Sequence, residues 1–191
     1  MAVRKSIPES ELALRDSMWP DAEVRFWHPR LHGAFISIPK TLPFLGRMMD
    51  EMSKNFPVSE TYATLWCWTW DNNAYTRLNH IEEMAFAAGF TGQRGIRTFQ
   101  DRLKRLEALG FVELKAAGNS KMAFAYLPNP HAVIFRHFEA LTSPSATSEA
   151  KELARGLQEG TFNAFLARAQ ELGCKDVIAM LEARAAAAAA A

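Results

Sequence analysis

Residues 89–115 read GFTGQRGIRTFQDRLKRLEALGFVELK, and this stretch decides the fold. Its large apolar side chains recur at alternating three- and four-residue steps, the spacing of one helix face: Ile96, Phe99, Leu103 and Leu106. Gly89 ends the preceding helix and Gly110 closes this one, because glycine commonly stands just beyond a helix end. Thr91 is placed to cap the second helix. The pattern predicts a short helix, a sharp turn and a longer helix, which we call the basic helix.

The faces of the basic helix that the apolar stripe leaves free are positively charged. Between Gly92 and Leu109, five basic residues stand against two acidic ones, a local charge of +3 in a chain of net charge +1. The rest of the chain is therefore mildly acidic. A charge split of this kind orients a polyanion towards one element, although a solvated helix face rich in Arg and Lys is a common alternative.

The segments on either side of the basic helix complete a recognisable order. Two alternating segments follow it, at 111–115 and 122–127, and the residues Gly-Asn-Ser at 118–120 are typical of a hairpin turn. Before it, the pattern predicts a helix from Ser59 or Thr61 onward, a strand at 74–78 and a helix that stops at Gly89. This order is that of a winged helix-turn-helix domain: helix, strand, helix, tight turn, basic helix and two-stranded ribbon.

The stretch at 89–115, with AYLPNPHAVI at 125–134, resembles the recognition-helix and wing region of bacterial winged-helix regulators and replication initiators. It is also similar to small winged-helix proteins carried by plasmids and integrative elements. The resemblance covers residues 57–135. It implies a cytoplasmic protein, associated with the nucleoid or a plasmid, that regulates transcription or serves replication or maintenance of a mobile element.

The predicted fold class is mainly α with a small β-ribbon (α+β). We expect a winged helix-turn-helix domain with an N-terminal strand–helix element, whose strand lies at Ala34–Ile38, and a C-terminal helical appendage. A run of seven alanines ends the chain; unassigned residues are also written this way, so the predicted fold and charge distribution concern residues 1–184. The expected divisions are an N-terminal arm and strand–helix element packed on the winged domain (1–56), the winged domain (57–141), a linker (142–148), the helical region (149–184) and the alanine tail (185–191).

The partner expected from this reading is double-stranded DNA. The N-terminal end of a recognition helix meets base edges, and the candidates there are Thr91, Gln93, Arg94, Arg97 and Thr98. Arg97 is the first choice, because arginine pairs bidentately with guanine O6 and N7. Asp101, four residues from both Arg97 and Arg105, can instead pair with either arginine.

A second group of candidates is expected to set affinity and register through the DNA backbone. Later on the basic helix, the residues facing phosphates or solvent are Arg102, Lys104 and Arg105. On the wing, the residues within reach of the backbone or the minor groove are Lys115, Asn119, Ser120 and Lys121. For every candidate of both groups except Arg97, DNA contact and a merely solvated side chain remain open alternatives.

Other classes of protein fit the sequence less well. Its 191 residues contain no HExxH, P-loop or GxSxG motif and no CxxC pair, so we expect no enzyme, no metal site and no cofactor. His28 and His32 have helical spacing, but Pro29 argues against a helix there. No apolar run approaches the ~20 residues of a membrane span.

The alternative hypothesis is a protein–protein docking module on a winged-helix scaffold that does not bind DNA. The C-terminal helices carry Phe162, Phe165 and Leu166, a surface that could equally support a homodimer. The sequence does not decide between these hypotheses.

Overall fold

A computed structural model describes residues 8–71, 73–92 and 94–189 of the chain, which divides into two compact units between Phe35 and Ile36. The first unit contains three short helices, α1 (Glu9–Met18), α2 (Ala22–Arg25) and α3 (Pro29–His32). From residue 8 to residue 35 no described side chain is buried. Its helices are instead joined by surface ion pairs, such as Arg15 with Glu23 at 3.0 Å.

Helix α3 corrects one expectation. Pro29 does not prevent a helix between His28 and His32, because it is the first residue of α3, where a missing N–H costs nothing. The ring nitrogen Nδ1 of His32 accepts from the backbone N–H of His28 at 2.9 Å. Among the described residues, no group of three or more His, Cys, Asp or Glu side chains is arranged to hold a metal ion.

The second unit is mainly helical and holds a small antiparallel sheet, which confirms the predicted mainly α, α+β class. None of the described helices is long and apolar enough to cross a membrane. The elements of this unit, in chain order, are α4 (Leu42–Ser53), α5 (Ser59–Trp68), β1 (Tyr75–Arg77), α6 (Ile81–Ala87), α7 (Gly95–Ala108), β2 (Glu113–Ala117), β3 (Ser120–Tyr126), α8 (Pro130–Thr142), α9 (Ser148–Ala154), α10 (Glu159–Leu172) and α11 (Lys175–Ala189).

The sheet has the strand order β1-β3-β2, with both pairs antiparallel. Strands β2 and β3 are the expected ribbon, and β1 is the short strand expected between the two preceding helices. Thr76 and Ala125 are cross-strand partners on the inner face, where both are buried. One face of the sheet therefore covers the core and the other is turned away from it.

The strand expected at Ala34–Ile38 is absent, since this described segment has no regular structure. Ala34 adopts a φ of +49°, which is incompatible with an extended strand. The N–H and hydroxyl of Ser37 donate to the carboxylate of Asp71 at 2.9 and 3.2 Å instead of joining the sheet. Bonds to a side chain distant in sequence here replace the strand pairing that the alternating pattern predicted.

The core of the second unit is a single cluster around α4, α5 and α7. Its largest fully buried side chains include Tyr62, Phe99 and Phe111. Each fully buried side chain of this size contributes roughly 1.5–3 kcal/mol relative to exposure to water. Helix α5 is capped from α4, because the Asp50 carboxylate accepts from the N–H groups of Val58 and Ser59 at 2.6 and 3.0 Å.

The C-terminal helices belong to this same core. Phe162 and Phe165 of α10 are at most 1% exposed, so they are not available as the dimer surface that the sequence suggested. Helix α10 is held on α4 by Glu51, which accepts from the Thr161 hydroxyl at 2.6 Å and from the Gln158 N–H at 3.1 Å. The chain at 143–147 connects α8 to α9 within the second unit.

Candidate nucleic-acid interface

Helix α7 is the basic helix of the sequence, and its apolar side chains fix its orientation. Phe99, Leu103 and Leu106 are fully buried, so the opposite face of the helix meets solvent. The helix starts at Gly95, later than expected. Thr91 does not cap it, because the N-cap residue is Arg94 and no side chain caps the N-terminus.

The junction between α6 and α7 requires a glycine. A Cβ placed on Gly95 would lie 2.5 Å from the carbonyl oxygen of Phe90, a distance at which the backbone has to move. The N–H of Phe90 in turn donates to the carbonyl of Ala85 at 2.9 Å, which fixes the turn on α6. Close approach of the two segments therefore sets the angle at which the N-terminal end of α7 projects.

The N-terminal end of α7 carries the free positive charge. Arg94 and Arg97 are exposed, and neither makes a salt bridge within the part of the chain that the structure describes. Thr98 is half-buried, and its hydroxyl donates to the carbonyl of Arg94 at 3.0 Å, inside the helix. Thr91 is exposed, whereas Gln93 lies outside the described residues.

Asp101 pairs with neither of the two arginines considered from the sequence. Its carboxylate accepts from the ammonium of Lys104 at 2.9 Å. The hydrogen bond from Lys104 lowers the pKa of Asp101, and the charge of Arg97 acts in the same direction. Lys104 is exposed, but its charge is partly balanced at the helix surface.

The C-terminal half of α7 is held by α4. Arg105 donates from Nη2 to the carbonyl oxygen of Met52 at 2.7 Å. The guanidinium of Arg102 lies over the ring of Phe56, with 3.4 Å between the Cζ atom and the ring centroid. Burial lowers the pKa of Arg102, and its Nε and Nη1 atoms have no hydrogen-bond partner among the described residues. Arg105 thus bonds to α4 and Arg102 packs on the segment that follows α4, so these two arginines position α7.

The ribbon is the second exposed basic surface. Lys115, Asn119, Ser120 and Lys121 are all exposed. The hydroxyl of Ser120 donates to the Met122 carbonyl at 3.0 Å. Glu107 of α7 accepts from the N–H of Leu114 at 3.1 Å, so the base of the ribbon is bonded to the helix. This hydrogen bond ties the ribbon to the C-terminal end of α7.

Two histidines, not assigned a role from the sequence, have structural bonds. His131 bonds through Nδ1 to Asp176 at 2.8 Å and through Nε2 to the Thr41 hydroxyl at 2.7 Å. Burial tends to raise the pKa of Asp176, but hydrogen bonds from Asn129 and His131 outweigh it and lower the pKa. Because Thr41 is fully buried, this Thr–His–Asp arrangement offers no hydroxyl to a substrate.

His137 supports the C-terminal end of α7. Its Nε2 atom donates to the carbonyl oxygen of Leu109 at 2.7 Å, just beyond the last turn. Burial lowers the pKa of His137, with a smaller contribution from the neighbouring charge of Arg136. No local pattern in the sequence marks this contact, because Leu109 and His137 are far apart along the chain.

Comparison of the chain with protein-family models, with curated proteins and with solved structures finds no match.

Proposed function

We propose that residues 57–141 form a winged helix-turn-helix domain that binds double-stranded DNA, with α7 in the major groove and the β2–β3 ribbon as the wing. One observation carries the proposal. Arg94 and Arg97, at the N-terminal end of α7, are exposed and make no salt bridge with described residues. That end of a recognition helix is the part that meets base edges. Arg102 and Arg105, which α4 and the segment that follows it hold, act as positioning residues.

In this mechanism Arg97 reads a base and the other exposed cations set affinity. A bidentate contact from Arg97 to guanine O6 and N7 contributes roughly 1–3 kcal/mol of discrimination. Arg94 and the wing residue Lys121 neutralise phosphates, and each such contact makes affinity fall as salt rises. Thr91 and Gln93 flank the same end of the helix. On the wing, the residues that contact the DNA backbone together with Lys121 are Lys115, Asn119 and Ser120.

The resemblance of residues 89–115 and 125–134 extends the proposal to a biological role. The role is that of a transcriptional regulator, or of a replication or maintenance factor of a mobile element. A homodimer would suit it, since two-fold pairing doubles the length of DNA that is read. Phe162 and Phe165 are buried inside the chain, so these two side chains are not available to a dimer through the C-terminal helices.

The test is fluorescence anisotropy with a randomised duplex pool, followed by sequences selected from that pool, at two salt concentrations. Arg97→Ala is compared with Arg155→Ala, which removes an exposed arginine at the C-cap of α9 that pairs with Glu152 at 3.2 Å. We expect Arg97→Ala to lower affinity for the selected sequence by about 5- to 150-fold, and Arg155→Ala to leave it unchanged. Equal losses, or no binding by the wild type at low salt, would overturn the proposal and favour a docking module.

A further inference from the structure

The face of the sheet turned away from the core carries aromatic and basic side chains in two rows. Residues directly opposite one another on antiparallel strands point to the same face. The register places Tyr75 beside Tyr126 and Tyr126 beside Glu113 in one row. In the next row it places Arg77 beside Phe124 and Phe124 beside Lys115. We call these six residues the outer sheet face.

The aromatic side chains of the outer sheet face lie together and reach solvent. The rings of Tyr75 and Phe124 have centroids 6.1 Å apart, and both side chains are half-buried. Tyr126 is 45% exposed. Aromatic side chains that reach solvent offer ring faces on which a partner can pack. Within the described part of the chain, the ring contact of Tyr75 and Phe124 is with each other.

Positive charge flanks the rings on both edges of the sheet. Arg77 on β1 and Lys115 on β2 are exposed and lie on either side of Phe124. At the usual strand spacing, about 10 Å separates their backbones. Neither cation makes a salt bridge within the described part of the chain. The acidic residue of this face, Glu113, lies at the opposite end, beside Tyr126.

We propose that the outer sheet face binds single-stranded DNA, with unpaired bases stacked on Tyr126, Phe124 and Tyr75. Every base has a π-face, so stacking of this kind is tolerant of sequence, and a groove of cations follows the phosphates. A duplex does not offer its base faces, which are already stacked on each other. The choice of DNA rather than RNA rests on the proposed function, because β2 and β3 are also the proposed wing.

The probe is a fluorescein-labelled oligothymidylate of about 15 nucleotides, a length within the usual site sizes of stacking surfaces. Tyr126→Ala is expected to lower its affinity by at least about fivefold, the low end of the effect of removing one stacked base. Arg77→Ala is expected to reduce the salt slope by about 0.7, the value for one phosphate of a single strand. Both residues are exposed enough to be replaced without loss of folding.

The matched control is Trp70→Ala, which removes an aromatic side chain that is 78% exposed and lies outside the sheet. It is expected to leave oligothymidylate binding unchanged. Arg97→Ala separates the two proposals, since it should weaken duplex binding and leave single-strand binding intact, whereas Tyr126→Ala should do the reverse. Loss of the duplex activity alone therefore leaves this inference standing.

Four results would overturn the inference. The first is no binding of oligothymidylate by the wild type at low salt, and the second is an equal loss in Trp70→Ala and Tyr126→Ala. The third is tighter binding of an oligouridylate of equal length, which would indicate RNA. The fourth is a fall in sedimentation mass on Tyr126→Ala, which would show that a second copy of the chain covers this face.

Discussion

The two ends of α7 carry the same type of residue and use it in different ways. At the N-terminal end, Arg94 and Arg97 are exposed and make no salt bridge with described residues. At the C-terminal end, Arg102 lies on the Phe56 ring and Arg105 donates to the Met52 carbonyl. A count of charge along a helix therefore overstates the charge that a partner can meet. Packing against a neighbouring helix decides which arginines remain free.

The energetics of Arg102 illustrate the difference. Stacking of a partly desolvated guanidinium on an aromatic ring contributes about 0.5–2 kcal/mol. Two of its nitrogens are buried without a hydrogen-bond partner among the described residues, and an unsatisfied buried donor costs about 1–3 kcal/mol. Because two donors are affected, this cost exceeds the stacking contribution, so Arg102 orients α7 more than it stabilises the fold. Arg105, whose donor reaches a carbonyl, provides the net stabilisation at this end.

The largest effect is expected from removing the bond that holds the C-terminal end. Arg105→Ala leaves the Met52 carbonyl without its charged donor, and the free energy of unfolding should fall by about 1–2 kcal/mol. In a chain of this size the melting temperature then falls by about 2–8 °C. Arg97→Ala serves as the control and should leave the melting temperature unchanged. An equal loss in both variants would remove the distinction between the two ends.

The C-terminal end should also respond to pH through His137. Its pKa in the folded state is lowered by burial, so the unfolded chain binds the proton first. Stability is therefore complete above the ordinary histidine pKa of about 6.5 and declines as the pH falls below it. Thermal melts between about pH 8 and pH 5 should show this decline, and His137→Gln should flatten it. Replacing the exposed His80 by Gln should leave the decline intact, and a decline that persists in His137→Gln would contradict the assignment.

The next effect concerns the wing rather than the helix. Lys121→Ala should weaken duplex binding to all sequences alike and reduce the salt slope by about one unit, because it removes one phosphate contact. The loss of affinity in Arg97→Ala should instead depend on the DNA sequence. Lys175→Ala, at the exposed start of α11, provides the charge control. A sequence-dependent loss in Lys121→Ala would show that the wing reads bases.

The smallest effect is expected at Asp101, between the two ends. Asp101→Asn removes a negative charge beside Arg97 and releases Lys104, so duplex affinity should rise about two- to fivefold. The exposed pair contributes little to folding, and the melting temperature should barely change. Titration of the selected duplex measures the effect. A loss of affinity confined to sites containing one particular cytosine would show that Asp101 accepts from that base.

Much of the second unit could be predicted because its signals are local. The stripe from Ile96 to Leu106 produced a helix at Gly95–Ala108, and glycines at 89 and 110 adopt the left-handed φ values of +81° and +80° that end helices. The hairpin turn at 118–120 lies between two paired strands. Two predictions were wrong. Thr91 is not the cap of α7, whose N-cap residue is Arg94. The segment Ala34–Ile38 is not a strand, because Ser37 bonds to Asp71, a residue that its own sequence neighbourhood does not reveal.

Between Ser59 and Tyr126, the sequence by itself determined the order of helices and strands and that one helix collects the positive charge, since periodicity and glycine conformation act within a few residues. Only the tertiary structure decided how each charged side chain is used. Arg105 of α7 bonds to Met52 of α4, and Glu51 of α4 bonds to Thr161 of α10. The residues of each pair are distant in sequence and meet only when the helices pack together. The same packing buried Phe162 and left Arg97 exposed. Burial depends on the elements that surround a residue, and these come from the whole chain.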